Sequence, residues 1–170
     1  MKDKNVMLIG FMGTGKTTVS QKLALDHGMH EIDLDSYIVD REKMNITDIF
    51  AEMGEEGFRD IETDCLKDVV DRTGNIVSCG GGSVLRDENV ELMKKNGVIV
   101  LLTATPETVF ERVKDDNTRP LLNGNMNIEF ITELMRKRED RYKEVADVVV
   151  DTDGKSIQEI ADEISQQVGL

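Results

Sequence analysis

The chain has 170 residues, 39% of them hydrophobic, with 2 prolines, 2 cysteines and a formal charge of −13. That length suits one domain with a real core, expected to span 1–170, and the composition excludes wholesale disorder. No apolar run approaches the ~18 residues of a membrane span, Cys65 and Cys79 are too few for a disulfide framework or a zinc site, and the negative charge opposes a nucleic-acid or anionic-membrane surface.

The N-terminal MKDKNVMLIG couples charge to a short apolar run without a small-residue cleavage site, so no export signal is read. A reducing cytoplasm is the expected location. Asn5 to Ile9 predicts a strand buried on both faces. The following KTTVSQKLALDHG puts Val19, Leu23 and Ala24 on one helical face and ends at Gly28, a C-cap. A weaker strand over His30 to Asp33 leads to a helix near Ser36 to Lys43, and Asn45 to Asp71 reads as helical with a break near Gly54. Ile76 to Ser78 predicts a brief strand running into Gly80, Gly81 and Gly82. Glu88 to Lys95 predicts a helix stopped by Asn96 and Gly97, and Val98 to Leu102 is the clearest buried strand.

Thr105 before Pro106 predicts a helix start, since proline at the first helical position lacks only a donor that would be unpaired anyway. That helix runs to about Lys114. The polar, aperiodic stretch from Asp115 to Asn127 predicts a mobile surface loop. Asn127 can cap a helix through about Tyr142, Asp147 to Val150 predicts a strand, and Ser156 with Glu159 forms a capping box for the last helix. Five strands separated by helices imply an α/β fold: a parallel sheet covered on both faces, with ligands at the carboxyl ends of the strands.

Gly10-Phe11-Met12-Gly13-Thr14-Gly15-Lys16-Thr17 fits the phosphate-binding loop G-x-x-x-x-G-K-[ST], and it lies where a buried strand turns into a helix. In that setting backbone N–H groups and a helix N-terminus converge on phosphate oxygens. Lys16 can reach the terminal phosphates and the Thr17 hydroxyl can ligate Mg²⁺. The loop alone leaves kinase, GTPase and ATPase open. The chain lacks an NKxD guanine-reading element and is too short to add a large motor or partner-binding domain. Beyond the loop, Asp33, Asp35, Arg59, Glu62, Gly80 to Gly82, Arg119 and Arg138 would gather on the sheet's carboxyl edge.

Five ordered motifs make the sequence similar to the shikimate kinase family from the P-loop to the last strand. They are Asp33-Leu34-Asp35, Phe58-Arg59-Asp60-Ile61-Glu62, Gly80-Gly81-Gly82, Arg119-Pro120-Leu121-Leu122, and Arg138 with Tyr142 four residues on. The resemblance implies a monomeric, three-layer P-loop kinase like the nucleoside monophosphate kinases, with strand order 2-3-1-4-5 and a mobile lid at about 115–127. It implies ATP and shikimate as substrates, Mg²⁺ as cofactor, and transfer of the γ-phosphoryl group to the shikimate 3-hydroxyl.

Residue by residue, the resemblance assigns ATP to Gly13, Thr14, Gly15, Lys16, Thr17, Thr18, Arg112 and Arg119. Lys16, Asp35 and Arg119 carry catalysis. The metal takes Thr17 directly and Asp33 and Ser78 through water. Shikimate meets Asp35, Arg59, Glu62, Gly80, Gly81, Gly82 and Arg138, the two arginines gripping its carboxylate because a planar guanidinium pairs bidentately with one. Read singly, each has a plainer role: Asp35 as a helix cap, Ser78 as a strand-end serine, Arg59 as a partner for Glu62 alone, and Arg112 and Arg119 as surface charges. Another small-metabolite or nucleotide kinase and a silent nucleotide-binding module are the competing functions; the intact Lys16, Thr17, Asp35 and Arg119 oppose the latter.

Two departures from the family pattern stand out. No proline interrupts Arg138 to Tyr142, which leaves the aim of Arg138 open. The proline that packs on adenine after the last strand is also missing from Asp151 to Ser156, so backbone atoms near Asp153 are an alternative source of that contact.

Overall fold

A computed structural model describes residues 4–116, 122 and 124–170. Its five strands are β1 (Asn5–Ile9), β2 (His30–Asp33), β3 (Asn75–Ser78), β4 (Gly97–Thr103) and β5 (Val148–Asp151). They form one parallel sheet in the order β2-β3-β1-β4-β5. The helices are α1 (Lys16–His27), α2 (Leu34–Glu42), α3 (Ile46–Val70), α4 (Asp87–Asn96), α5 (Pro106–Val113), α6 (Ile128–Val145) and α7 (Ile157–Val168).

Alternation along each strand divides the core between two faces of the sheet. Val6 and Leu8, with Ile76, Val100, Leu102 and Val150, pack against Val19 and Leu23 of α1 and Ile160 and Ile164 of α7. Met7 and Ile9, with Val77, Ile99 and Leu101, pack against residues such as Ile38, Leu66, Val90, Val109 and Ile131 from α2 to α6. A strand with both faces covered must be apolar throughout, and every residue of β1 is buried. Fully burying each such Leu, Ile or Met side chain contributes about 1.5–3 kcal/mol.

The element boundaries have local causes. Gly28 ends α1 in the left-handed conformation (φ 63°), its N–H bonding back to Ala24 O. α2 starts at Leu34, ahead of the expected Ser36, because the Asp33 side chain accepts from Ser36 N at 2.9 Å and is itself the N-cap. Asp35 is therefore not the cap but a first-turn residue of α2. Gly54 (φ 71°, ψ −178°) breaks α3 where expected. A short 3₁₀ turn over Ser83–Leu85, not foreseen, follows the glycine triplet. With no proline in its last turns, α6 continues three residues past Tyr142 to Val145.

Candidate active site

The register of the sheet assembles the site. Asp33 pairs with Ser78, and Ser78 pairs with Leu8 on β1, so the ends of β2 and β3 flank the loop that leaves β1. The chain moves from β1 to one side of the sheet and crosses to the other after β3, which opens a crevice at these carboxyl ends.

The P-loop forms the crevice's inner wall. Gly13 and Gly15 adopt φ of 77° and 93°, backbone that side-chain-bearing residues rarely take. Lys16 Nζ donates to the carbonyls of Gly10 (2.9 Å) and Phe11 (3.0 Å), holding the ammonium over the loop. Arg112 Nη1 donates to Gly13 O at 2.9 Å, which ties the end of α5 to the same loop. Thr14 turns its hydroxyl onto Phe11 O and is buried, so its side chain does not reach the cradle. Met12, Gly13, Gly15, Lys16, Thr17 and Thr18 line a cavity of about 200 Å³ closed by Asp33, Asp35, Ser78, Cys79, Gly80 and Gly81.

The three oxygen donors expected around the metal lie together. Thr17 Oγ1 donates to Asp33 Oδ2 at 2.7 Å and sits 3.4 Å from Ser78 Oγ. A hydroxyl, a carboxylate and a second hydroxyl beside a phosphate cradle form a hard-oxygen set suited to Mg²⁺, which binds one or two carboxylates plus substrate phosphates.

A second cavity, of about 550 Å³, shares Met12, Thr17, Asp33, Asp35, Gly80 and Gly81 with the first. Arg59 and Arg138 also line it, although each is only 6% exposed. Arg59 Nη1 bonds Glu62 Oε1 at 2.9 Å, and Glu62, fully buried, accepts from Ser83 Oγ at 3.0 Å with its other oxygen. The Arg59 guanidinium lies 5.2 Å from the Phe58 ring centroid and that of Arg138 lies 6.0 Å from Phe11, placing both cations on aromatic faces. Tyr142 donates its hydroxyl to Gly81 O; burial pushes its phenol above the ordinary range, and Arg138 opposes that rise.

The glycine triplet runs between these charged groups. A Cβ on Gly80 would stand 2.9 Å from Glu62 Oε2 and 3.1 Å from Asp35 Oδ1, and one on Gly81 would stand 3.5 Å from Arg138 Nη1. On Gly82 it would overlap the Arg59 guanidinium. Asp35, Arg59, Glu62, Gly80, Gly81, Gly82 and Arg138 are thus brought to one cleft, with Thr17, Asp33 and Ser78 at its border with the P-loop. Arg119 lies outside the described residues, as do the other positions of 117–121 and position 123 within the stretch expected to form a lid.

Sequence reasoning passed over two participants. Ser83, which fixes Glu62, carries no signal except its place after the glycines. Phe11 is an unspecified position of the P-loop motif, and its ring gains a role only when α6 brings Arg138 over it. The Asp153 side chain uses Oδ2 to accept from Thr105 N at 2.9 Å, anchoring the start of α5.

Comparison with known proteins bears on the family and the fold. The family model described as shikimate kinase matches residues 12–169. A shikimate kinase of Thermodesulfovibrio yellowstonii is 43% identical over 164 residues, covering 96% of this chain and 94% of its own length. One of Geobacter sulfurreducens is 41% identical over 162 residues, covering 95% and 89%. Among solved structures, the shikimate kinase from Acinetobacter baumannii in complex with shikimate superposes with a TM-score of 0.93 at 33% identity, covering 97% of this chain and 92% of that one. The enzyme from Aquifex aeolicus gives 0.83 at 33% identity, covering 97% and 96%.

Proposed function

The chain belongs to the shikimate kinase family, and from that premise we propose that it transfers the γ-phosphoryl group of ATP to the 3-hydroxyl of shikimate. The products are shikimate 3-phosphate and ADP, a step in the biosynthesis of chorismate and the aromatic amino acids. The observation that carries this reading is the shared wall of the two cavities: the cavity lined by the P-loop and the pocket lined by two guanidinium groups adjoin, with Asp35 and Gly80 lining both.

In this reading the shikimate carboxylate meets Arg59 and Arg138, with Glu62 fixing the angle of Arg59 and Gly80 to Gly82 giving the ring access to bare backbone. Asp35 orients the 3-hydroxyl and accepts its proton as the new P–O bond forms, while the bond from the γ-phosphorus to the β-bridging oxygen breaks and ADP leaves. Gly13, Gly15, Thr17 and Thr18 offer backbone N–H groups to the phosphates, and Lys16 offsets their charge. Arg112 flanks the base. Mg²⁺, held by Thr17 directly and by Asp33 and Ser78 through water, would supply charge neutralisation at the phosphate oxygens. Arg119, on a lid at about 115–127, would add a further cation and help exclude water on closing. The protein's share of such a reaction is positioning and electrostatics, since little covalent work falls to it. A monomer of 1–170 acting in the cytoplasm completes the proposal.

A coupled assay of ADP release tests the function directly. Turnover with shikimate, and little with gluconate, a nucleoside monophosphate or no acceptor, is the expected result. Equal rates with those acceptors, or no turnover with any, would remove the assignment.

A further inference from the structure

Arg59 has a second carboxylate besides Glu62. Glu55, one turn earlier on α3, places Oε1 3.5 Å from Arg59 Nη2. The two contacts differ in kind. Glu62 has no exposed side-chain surface, sits 2.9 Å from Nη1 and is held from behind by Ser83. Glu55 is 51% exposed, makes the longer contact, and directly follows the helix break at Gly54. Around the rest of the guanidinium, Phe58 covers a face, and Arg59 Nε is buried with no hydrogen-bond partner among the described residues. Nη2 both fills the space that a Cβ on Gly82 would take and meets the Glu55 carboxylate.

We propose that Glu55 is a positioning residue that occupies the outer edge of the Arg59 guanidinium between turnovers and is displaced by the substrate's carboxylate. The inference rests on the reading of Arg59 as the acid grip. Binding then exchanges one carboxylate for another. The cation is never left with Glu62 alone, so the guanidinium plane stays aimed while the cleft is empty. On the way out, the returning Glu55 competes with the product for the same nitrogen. With Glu55 half exposed and the contact long, the pair is placed with surface ion pairs, of median value about 0–1 kcal/mol, so the competition is worth about fivefold in affinity at most. It is a weak latch that an incoming acid can open.

The test is Glu55→Gln, which keeps shape and removes charge, with shikimate affinity measured by calorimetry and in steady-state kinetics. Shikimate methyl ester serves as the neutral control. The expected result is a fall of about two- to fivefold in both Kd and KM for shikimate, no rise in kcat, and no change in Kd for the ester. Glu55→Ala should move shikimate affinity in the same direction. Unchanged or weaker shikimate binding in Glu55→Gln, or an equal gain for the ester, would overturn the exchange. Absence of shikimate binding by the parent protein would overturn the reading of Arg59 and this inference with it.

Discussion

Gly82 has ordinary backbone dihedrals (φ −99°, ψ 3°), so alanine is conformationally permitted there, yet its methyl group would overlap the Arg59 guanidinium. The flexible end of an arginine can move aside without disturbing the fold. Gly82→Ala should therefore leave the melting temperature within a few degrees of the parent while raising KM for shikimate. Loss of one charge-assisted hydrogen bond, about 1.5–3 kcal/mol, sets the rise at roughly ten- to a hundredfold. An unchanged KM would show that Arg59 does not hold the acid. The cysteines report on packing instead. Burial pushes both thiols above their ordinary value of 9.0, and Glu62 adds to the rise at Cys79. Neither should react with a thiol reagent near neutral pH until the protein unfolds. Thiols of the unfolded chain ionise near pH 9 while the folded ones stay protonated, so their contribution to stability declines as pH rises past that value. Most site residues were legible one by one because motif spacing marks them. Their contacts were not: Arg59 with Glu62 could be foreseen three residues apart on one helix, but Ser83 on Glu62 and Phe11 under Arg138 depend on chain segments brought together only by folding.

Among the elements, the ends of the helices are decided by short-range chemistry, and there the sequence and the structure agree best. Ser156 Oγ accepts from Glu159 N at 3.2 Å and Glu159 Oε2 accepts from Ser156 N at 2.7 Å, the reciprocal pair read from the spacing alone. Ser156→Ala should cost about 1 kcal/mol in chemical denaturation. The backbone hydrogen bond to Ser156 holds the Glu159 carboxyl below its ordinary 4.5. A depressed folded value stabilises the protein above the ordinary one and ceases to do so as pH falls through the folded one. Glu159→Gln should accordingly be less stable than the parent at neutral pH and indistinguishable from it near about pH 2; a difference that persists in acid would show that the charge of Glu159 is not what matters. Where two caps compete, pattern reading fails. Asp33 and Asp35 both lie at the start of α2, and only the register of β2 decides that Asp33 turns back to cap it while also meeting Thr17. The 3₁₀ turn after Gly82 has no period to read, being set by Ser83 N to Gly80 O at 3.0 Å and Leu85 N to Gly82 O at 3.1 Å.

Across the whole molecule, a parallel sheet explains how a chain of charge −13 can receive two anionic substrates. Strands that all run one way deliver their following loops to a single edge, so Lys16, Arg59, Arg112 and Arg138, far apart in sequence, are collected there while most carboxylates stay outside. Alternation of strands and helices made the sheet legible, since apolar runs of four or five residues between amphipathic helices have few other solutions. Strand order came only with the family resemblance, because hydropathy does not record which strands are neighbours. The proposed reaction depends on one cleft joining the triphosphate cradle to the guanidinium pair. A crystal structure with shikimate and a non-hydrolysable ATP analogue tests it most directly. The expected result is the carboxylate on Arg59 and Arg138 and the 3-hydroxyl beside Asp35, within about 3–3.5 Å of the transferring phosphorus; a ring bound apart from the γ-phosphate, or turned so that its carboxylate avoids both arginines, would rule the shared cleft out.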